Sequence, residues 1–381
     1  VTSTNRFEFN QTDSRFQIRN VFNHDTIAYI ATQIHTVYPE FDRHGFIDNC
    51  LANLNELTFS QRNHLIYTNL VQYLPDDFPT SVDILVRSLG DPIKTEELEG
   101  YNGFYVMPFT HYVSQQGMSH VELSLMALLE MTMRFTAEWA IRPFLEKHES
   151  KTLAFLLSLA SHPHPHARRL VSEGSRPRLP WGFRLKNFVK DPTIVFTLLE
   201  RLKNEPTRLV QRSIANSLND IAKDHPDRVI EFLTQWKSQG VLDIDWIISH
   251  ATRSLVKSAH PATLALLGYN MNTALDVQIT LTQKSIVLGE TLEFSLTLHS
   301  HEDQQLLIDY CLGYQKANGT IAPKVFKLTT KKLKKGETIT LTKRHPIKPA
   351  TTRVHYSGEH TVQLQINGNQ VGNLLSFELI L

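Results

Sequence analysis

From about residue 25 to residue 267, apolar side chains recur every three or four positions, as in Ile27, Ile30, Ala31 and Ile34 and again in Leu65, Ile66, Leu70 and Val71. Spacing of this kind covers one face of a helix, so this stretch is predicted to be a series of amphipathic helices. Ser119 and Glu122 stand at capping-box spacing ahead of Leu123, Leu125, Met126, Leu128 and Leu129, which predicts a helix start there. Prolines break the pattern at Asp76-Asp77-Phe78-Pro79, Asp91-Pro92, His162-Pro163, Asp191-Pro192, Glu205-Pro206 and His225-Pro226. Because proline cannot continue a helix, these turns predict short helices in antiparallel pairs. Near Asn272 the period shortens to two, first in Val277, Ile279 and Leu281 and then in Leu292, Phe294, Leu296 and Leu298. Further strand-like runs cover 306–312, 325–328, 338–341, 360–366 and 374–381, with Gly289, Gly336 and Gly368 at turns. About seven strands in about 105 residues suit an immunoglobulin-like sandwich, here without the cysteine pair and core tryptophan of antibody domains.

The helical half repeats itself. Arg134-Phe-Thr-Ala-Glu138, Arg169-Leu-Val-Ser-Glu173 and Arg212-Ser-Ile-Ala-Asn216 align on an arginine, with spacings of 35 and 43 residues in the range of HEAT-like repeats. A weaker fourth copy spans 253–257, and the third extends one turn further to Asp220. Positions i and i+4 share a helix face, so each arginine is expected beside its acidic or polar partner on one helix. Taken singly, such pairs are surface ion pairs contributing about 0–1 kcal/mol. Recurring at equivalent places in stacked repeats, the acids instead line one wall of a solenoid. The predicted fold is therefore multidomain, α then β: an α-helical HEAT-like repeat solenoid over residues 1–272 and an immunoglobulin-like β-sandwich over residues 273–381.

Composition narrows the function. With 381 residues and 41% hydrophobic content, the chain can fill two cores, and its net charge of +1 means that any nucleic-acid surface must come from local charge segregation. Only two cysteines, Cys50 and Cys311, are present, neither with the neighbours a nucleophile needs, so a reducing cytosol is expected. The opening Val1-Thr2-Ser3-Thr4-Asn5 lacks an export signal, and no apolar run approaches the roughly 18 residues of a membrane span. A soluble cytoplasmic protein acting at the nucleoid is the expectation. His162-Pro-His-Pro-His166 suggests metal binding, yet without a cysteine or carboxylate pattern it is expected to be an inter-helix turn. No glycine-rich phosphate loop is present, and no cofactor or metal is expected.

The stretches Glu138-Trp-Ala-Ile-Arg-Pro-Phe-Leu145, Arg168-Arg-Leu-Val-Ser-Glu-Gly-Ser-Arg-Pro-Arg-Leu-Pro-Trp181 and Ser213-Ile-Ala-Asn-Ser-Leu-Asn-Asp-Ile-Ala-Lys-Asp-His-Pro226 closely resemble AlkC-type DNA alkylation-repair glycosylases. The likeness covers the helical half, and a C-terminal immunoglobulin-like domain is a feature of that branch. It implies excision of cationic alkylated bases, 3-methyladenine and 3-methylcytosine, from double-stranded DNA without full base flipping. Carried over by motif, Glu138, Glu173 and Asp220 would be the catalytic acids and Trp181 an aromatic wall beside them, where a repeat-core tryptophan is the alternative. Trp139 stands where the family pattern has a smaller apolar residue.

These residue types suit that chemistry. A cationic base leaves as a neutral molecule and needs no general acid, so the carboxylates are free to stabilise an oxocarbenium-like sugar and to position or deprotonate water. A tryptophan face attracts the cation by roughly 0.5–2 kcal/mol. Acids beside a polyanion need cations, and Arg134, Arg142, Arg168, Arg169, Arg176, Arg178, Arg184 and Arg212 are candidates for gripping phosphates, with Arg169, Arg176 and Arg212 foremost. A second basic stretch between Lys324 and Arg353 includes Lys331, Lys332, Lys334 and Lys335, either a solvated hairpin face or a clamp on the DNA backbone. The expected partner is alkylated duplex DNA, bound by a monomer with no obligate protein partner. A non-catalytic repeat scaffold or a damaged-DNA sensor is the alternative.

Overall fold

The computed structural model describes residues 16–94, 100–349 and 354–381; the opening segment and Arg353 lie outside the described residues. Helices follow the predicted punctuation. Asn23 accepts the Thr26 amide at 3.0 Å to start the helix His24–Val37, whose stripe Ile27, Ile30, Ala31 and Ile34 is fully buried. Asp77 does the same for Phe78–Arg87, with Pro79 in the first turn, where its missing amide costs nothing. Pro165, Pro226 and Pro261 each open a helix. The expected capping box at Ser119 does not form. Helix Val121–Thr132 starts from His120 without a side-chain cap, Glu122 is drawn instead to Lys151 at 2.6 Å, and the His120 ring stacks on Phe78. A box of that type operates one helix pair earlier, where Gln61 accepts the Thr58 amide at 2.9 Å. Helices pack mainly on near neighbours in sequence, as a repeat array requires, and Arg208–Ile221 lies against both Pro165–Gly174 and Ile244–Ala251. Among the described residues no helix is long and apolar enough to cross a membrane.

Among the described residues eight strands follow: β1 Leu275–Leu281, β2 Ser285–Val287, β3 Thr291–Ser300, β4 Gln304–Gln315, β5 Ile321–Leu333, β6 Thr338–Pro346, β7 Gly358–Ile366 and β8 Asn369–Ile380. The additional strand, β2, has only three residues, too few to show an alternation, and pairs in parallel with β8. One sheet has the order β1-β3-β6 and the other β2-β8-β7-β4-β5. Leu292, Phe294, Leu296 and Leu298 of β3 point into a common core with Leu306, Ile308, Leu312, Val362 and Leu364 of the larger sheet. On the other face of β3, polar pairs such as Ser295 with Thr342 and Thr297 with Thr340 bridge to β6, each at 3.1 Å.

Secondary structure changes type between Pro261–Leu266 and β1, close to residue 272, but packing divides the chain elsewhere. One compact unit runs to Asp224 and resumes over Gln239–Ala251; the other joins His225–Ser238 to Thr252–Leu381. The β7–β8 turn shows why the later helices go with the sandwich. Gly368 has a φ of +86°, and an added Cβ would lie 2.7 Å from the Ala259 Cβ and 2.8 Å from Leu264 Cδ1. Beside it, Asn367 donates to the Asn270 carbonyl at 2.7 Å. The weak fourth window, now the helix Arg253–Lys257, therefore belongs to the sandwich unit and not to the row of acids.

One buried charge in the sandwich tests its stability. Asp309 lies on β4 between Gln365 of β7 and Lys327 of β5, at a register shift, and is 4% exposed. Burial pushes its carboxyl up to about 6, and Lys327 opposes the rise only in part. The folded state thus holds a proton that the unfolded chain has already released, so stability falls as pH rises through the window from about 4 to 6. Asp309→Asn should raise the sandwich unfolding free energy at pH 7 by about 1–2 kcal/mol, after allowance for solvent screening, and do little at pH 4. Denaturant titrations at both pH values check this; an equal effect at both would assign the change to packing.

Candidate active site

The helix Pro165–Gly174 buries Ala167, Leu170 and Val171 and so presents Arg169 and Glu173, one turn apart, beside the helix Arg208–Ile221. That second helix buries Val210, Ile214 and Leu218, and carries Ser213 and Asp220. Ser172 donates to Ser213 at 2.7 Å, linking the two helices, and Ser213 donates in turn to Glu173 Oε2 at 2.6 Å. The His162-to-His166 motif forms the turn that leads in, with His162 Nδ1 accepting the His164 amide.

The acids and arginines alternate in one chain of contacts. Arg169 sends both terminal nitrogens to Glu138 at 3.3 Å, one of them also to Thr136 at 3.0 Å, and approaches Glu173 at 3.8 Å. Arg176 donates to Glu173 at 2.6 Å and to Asp220 at 2.8 Å. Lys223 reaches the other Asp220 oxygen at 3.2 Å. Three carboxylates thus face two buried guanidiniums, an assembly with one surplus negative charge that Lys223 offsets from a half-exposed position. Burial raises the Glu138 carboxyl above the ordinary carboxylate range against the pull of Arg169, and the nearby Glu173 charge adds to the rise. Burial acts likewise on Glu173, but Arg169 and Arg176, with Ser213 and the Arg176 hydrogen bond, outweigh it and hold its carboxyl below that range. Two neighbouring acids are driven apart in proton affinity, the arrangement that separates a proton acceptor from a permanent charge.

The structure brings Glu138, Glu173 and Asp220 together, though not as the repeat pattern implied. Glu138 is not on a helix with Arg134: it lies in the turn between Val121–Thr132 and Arg142–Lys147. Arg134 turns away to Glu130 at 2.8 Å and to the Gly90 carbonyl. Glu138 is instead bound across the repeat boundary by Arg169. Trp181 is 79% exposed, which removes the repeat-core alternative, and takes a φ of +62°. Its ring stacks 6.3 Å from that of Trp139, whose own indole nitrogen donates to the Pro180 carbonyl at 3.0 Å. The large residue after the first acid is therefore part of an aromatic pair.

Several cations expected on phosphates are otherwise engaged. Arg142 is completely buried and donates to the carbonyls of Gly174, Arg176 and Phe183, so it cannot reach DNA. Arg168 forms a two-point pair with Glu205 at 2.6 and 2.8 Å and binds the His162 and Pro163 carbonyls. Arg178 does the same with Asp224 at 2.8 and 2.7 Å. Arg169 and Arg176 belong to the acid row. Arg212 and Arg184 are exposed, and neither makes an ion pair with a described residue. In the sandwich, Lys331 and Lys332 are exposed neighbours on β5 and so point to opposite faces. Lys334 pairs with Asp303 at 2.7 Å, and the same aspartate accepts the Lys335 amide at 2.9 Å. The four lysines do not form one patch. Thr136, Ser172, Ser213 and Lys223 completed the network unannounced. All four lie within the repeat windows or the stretches of the resemblance, but nothing in the pattern marked them as partners of the acids.

Comparison with known proteins agrees with this architecture. Residues 132–257, which contain the whole acid row, match the family described as DNA alkylation repair enzyme, and residues 276–381 match the C-terminal Ig-like domain of the uncharacterised protein YhaZ. Over 364 residues the chain is 36% identical to the uncharacterized protein YhaZ of Bacillus subtilis, covering 95% of this chain and 99% of that one. The Pseudomonas fluorescens alkylpurine DNA glycosylase AlkC, solved bound to DNA containing an abasic site analog, superposes with a TM-score of 0.87 and 35% identity over 96% of this chain and 100% of that one. With helices, Ig-like domain and full-length likeness in agreement, the chain belongs to the AlkC-type family of DNA alkylation-repair proteins.

Proposed function

We propose that the protein is a monofunctional DNA glycosylase that hydrolyses the N-glycosidic bond of cationic alkylated bases, 3-methyladenine and 3-methylcytosine, in duplex DNA without full base flipping. The observation that carries this is the buried alternation Glu138, Arg169, Glu173, Arg176, Asp220 beside the exposed Trp181. The glycosidic bond breaks with its electron pair going to the base, which cancels the base's positive charge and leaves an oxocarbenium-like sugar. Water then bonds to C1′ and gives up a proton. Glu138, with its raised carboxyl, is the better proton acceptor, while Glu173 stays ionised and opposes the positive charge on the sugar. Trp181 offers its face to the lesion. Phosphates fall to the exposed Arg212 and Arg184, with Lys331 and Lys332 as further backbone contacts from the sandwich.

The test is release of 3-methyladenine and 3-methylcytosine from methylated duplex DNA under single-turnover conditions. The parent should release both bases, and Asp220→Asn, which leaves Arg176 with Glu173 alone, should do so about tenfold or more slowly. Duplex binding without any release would assign the protein to damage sensing.

A further inference from the structure

Behind the aromatic pair lies a cavity of about 630 Å³ that none of the three acids lines. It opens between Trp181, Trp139 and Phe183 on one side and Phe59, on the helix Phe59–Tyr73, on the other. The Phe59 ring stands 6.3 Å from that of Trp181, so the mouth is aromatic on both sides. Deeper in the wall, Asn63 donates through Nδ2 to His111 Nδ1 at 3.0 Å. Burial, with His64 nearby, lowers the His111 pKa, so the ring is neutral at pH 7 and its proton sits on Nε2. Asn63 Oδ1 is buried and has no partner among the described residues. A buried acceptor of that kind costs about 1–3 kcal/mol until a donor meets it. The wall therefore offers an acceptor on Asn63 and a donor on His111, a few polar groups in an otherwise apolar cleft of ligand size.

We infer that this cavity is a nucleobase receptor, distinct from the acid row but adjoining it in the chain, since the lining residue Trp139 directly follows Glu138. A flat ring at the mouth can stack on one of the two tilted rings, Phe59 or Trp181, and a purine edge carries the donor and acceptor that Asn63 and His111 complement. Among the described residues no cation lines the cavity, which suits an uncharged base better than a nucleotide phosphate. Such a ring has two sources. It is the neutral base just released, or a base of the bound duplex unstacked beside the lesion. The inference takes DNA as the ligand from the proposed function but not the excision chemistry, and the test keeps the two apart.

Equilibrium dialysis against adenine tests the first source, and fluorescence of 2-aminopurine placed next to an abasic site in a bound duplex tests the second. Both are run on the full-length protein and on Asn63→Leu, which removes the polar pair at similar volume, and Gln115→Trp, which fills the rim from the helix Met107–Gln116. Neither residue belongs to the acid row. Adenine retained by the parent and bound about tenfold or more weakly by both variants identifies the released base as occupant. A 2-aminopurine signal that changes with the parent and not with the variants, without adenine retention, identifies a strand base. If neither probe distinguishes parent from variants, the receptor assignment is wrong, whatever the protein's excision activity.

Discussion

Glu173→Gln should slow single-turnover release of a 3-methylated base by roughly 10²–10³, the loss that follows removal of one preorganised charge from a transition state. Its effect on folding should be small, because the row is redundant around its centre. Arg169 keeps Glu138 and Arg176 keeps Asp220, so neither buried guanidinium is stranded, and the new amide can still bond to Arg176 and Ser213. Duplex affinity should change less than threefold or so, since no phosphate contact is removed. Binding and rate are measured on the same methylated duplex; a variant that excises at the parental rate would remove Glu173 from the chemistry. The pH profile separates the two acids. The acceptor Glu138 works when ionised and its pKa is raised, so the parental rate should fall with decreasing pH at a point above the value of about 4.3 for free glutamate. An acid limb at or below that value would exclude Glu138 as the acceptor.

The sequence disclosed the fold more completely than the site, for physical reasons. Periods of 3.6 and 2 are local, and Ile27 to Ile34 or Leu292 to Leu298 show them without any tertiary context. Helix starts were legible wherever proline or an Asp cap fixed them, as at Pro165 and Asp77, but not at Ser119, where Lys151 competes for the carboxylate a capping box needs. Site acids were visible because they recur, and Glu173 and Asp220 do project from helices as the spacing implied. Arginine roles were not. An i, i+4 spacing says only that two side chains share a face, and Arg134 and Arg169 both reach further, one to Gly90 and the other to Glu138. Exposure decides which cations can meet DNA, and exposure is set by the neighbouring repeat. That is why Arg169 and Arg212, which head equivalent windows of the repeat, differ: the first is held in the acid row and the second is exposed.

Arg142→Ala should be the most destabilising of these changes, although the side chain touches neither acid nor solvent. Its guanidinium donates to Gly174 at 3.0 Å, to Arg176 at 2.7 Å and twice to Phe183, holding together the two ends of the loop that presents Trp181. Burial, and then Arg176, push its pKa down to about 10, which still leaves it protonated at neutral pH. The loop needs such a clamp. Trp181 holds a left-handed φ of +62° with most of its ring in solvent, a conformation that costs about 1–3 kcal/mol and persists only where its surroundings fix it. Truncation leaves the buried Gly174 and Arg176 carbonyls and the part-buried Phe183 carbonyl without this donor, for a loss of about 3–5 kcal/mol. In a helical unit of this size that lowers the melting temperature by roughly 6–20 °C. Arg142→Lys should recover little, because one ammonium cannot span carbonyls that a planar fork reaches together. Excision should fall in both variants through Trp181, while affinity for undamaged duplex, measured below the lowered melting point, should match the parent. A variant that melts with the parent but binds DNA weakly would restore Arg142 to the phosphate contacts and leave the Trp181 loop without its clamp.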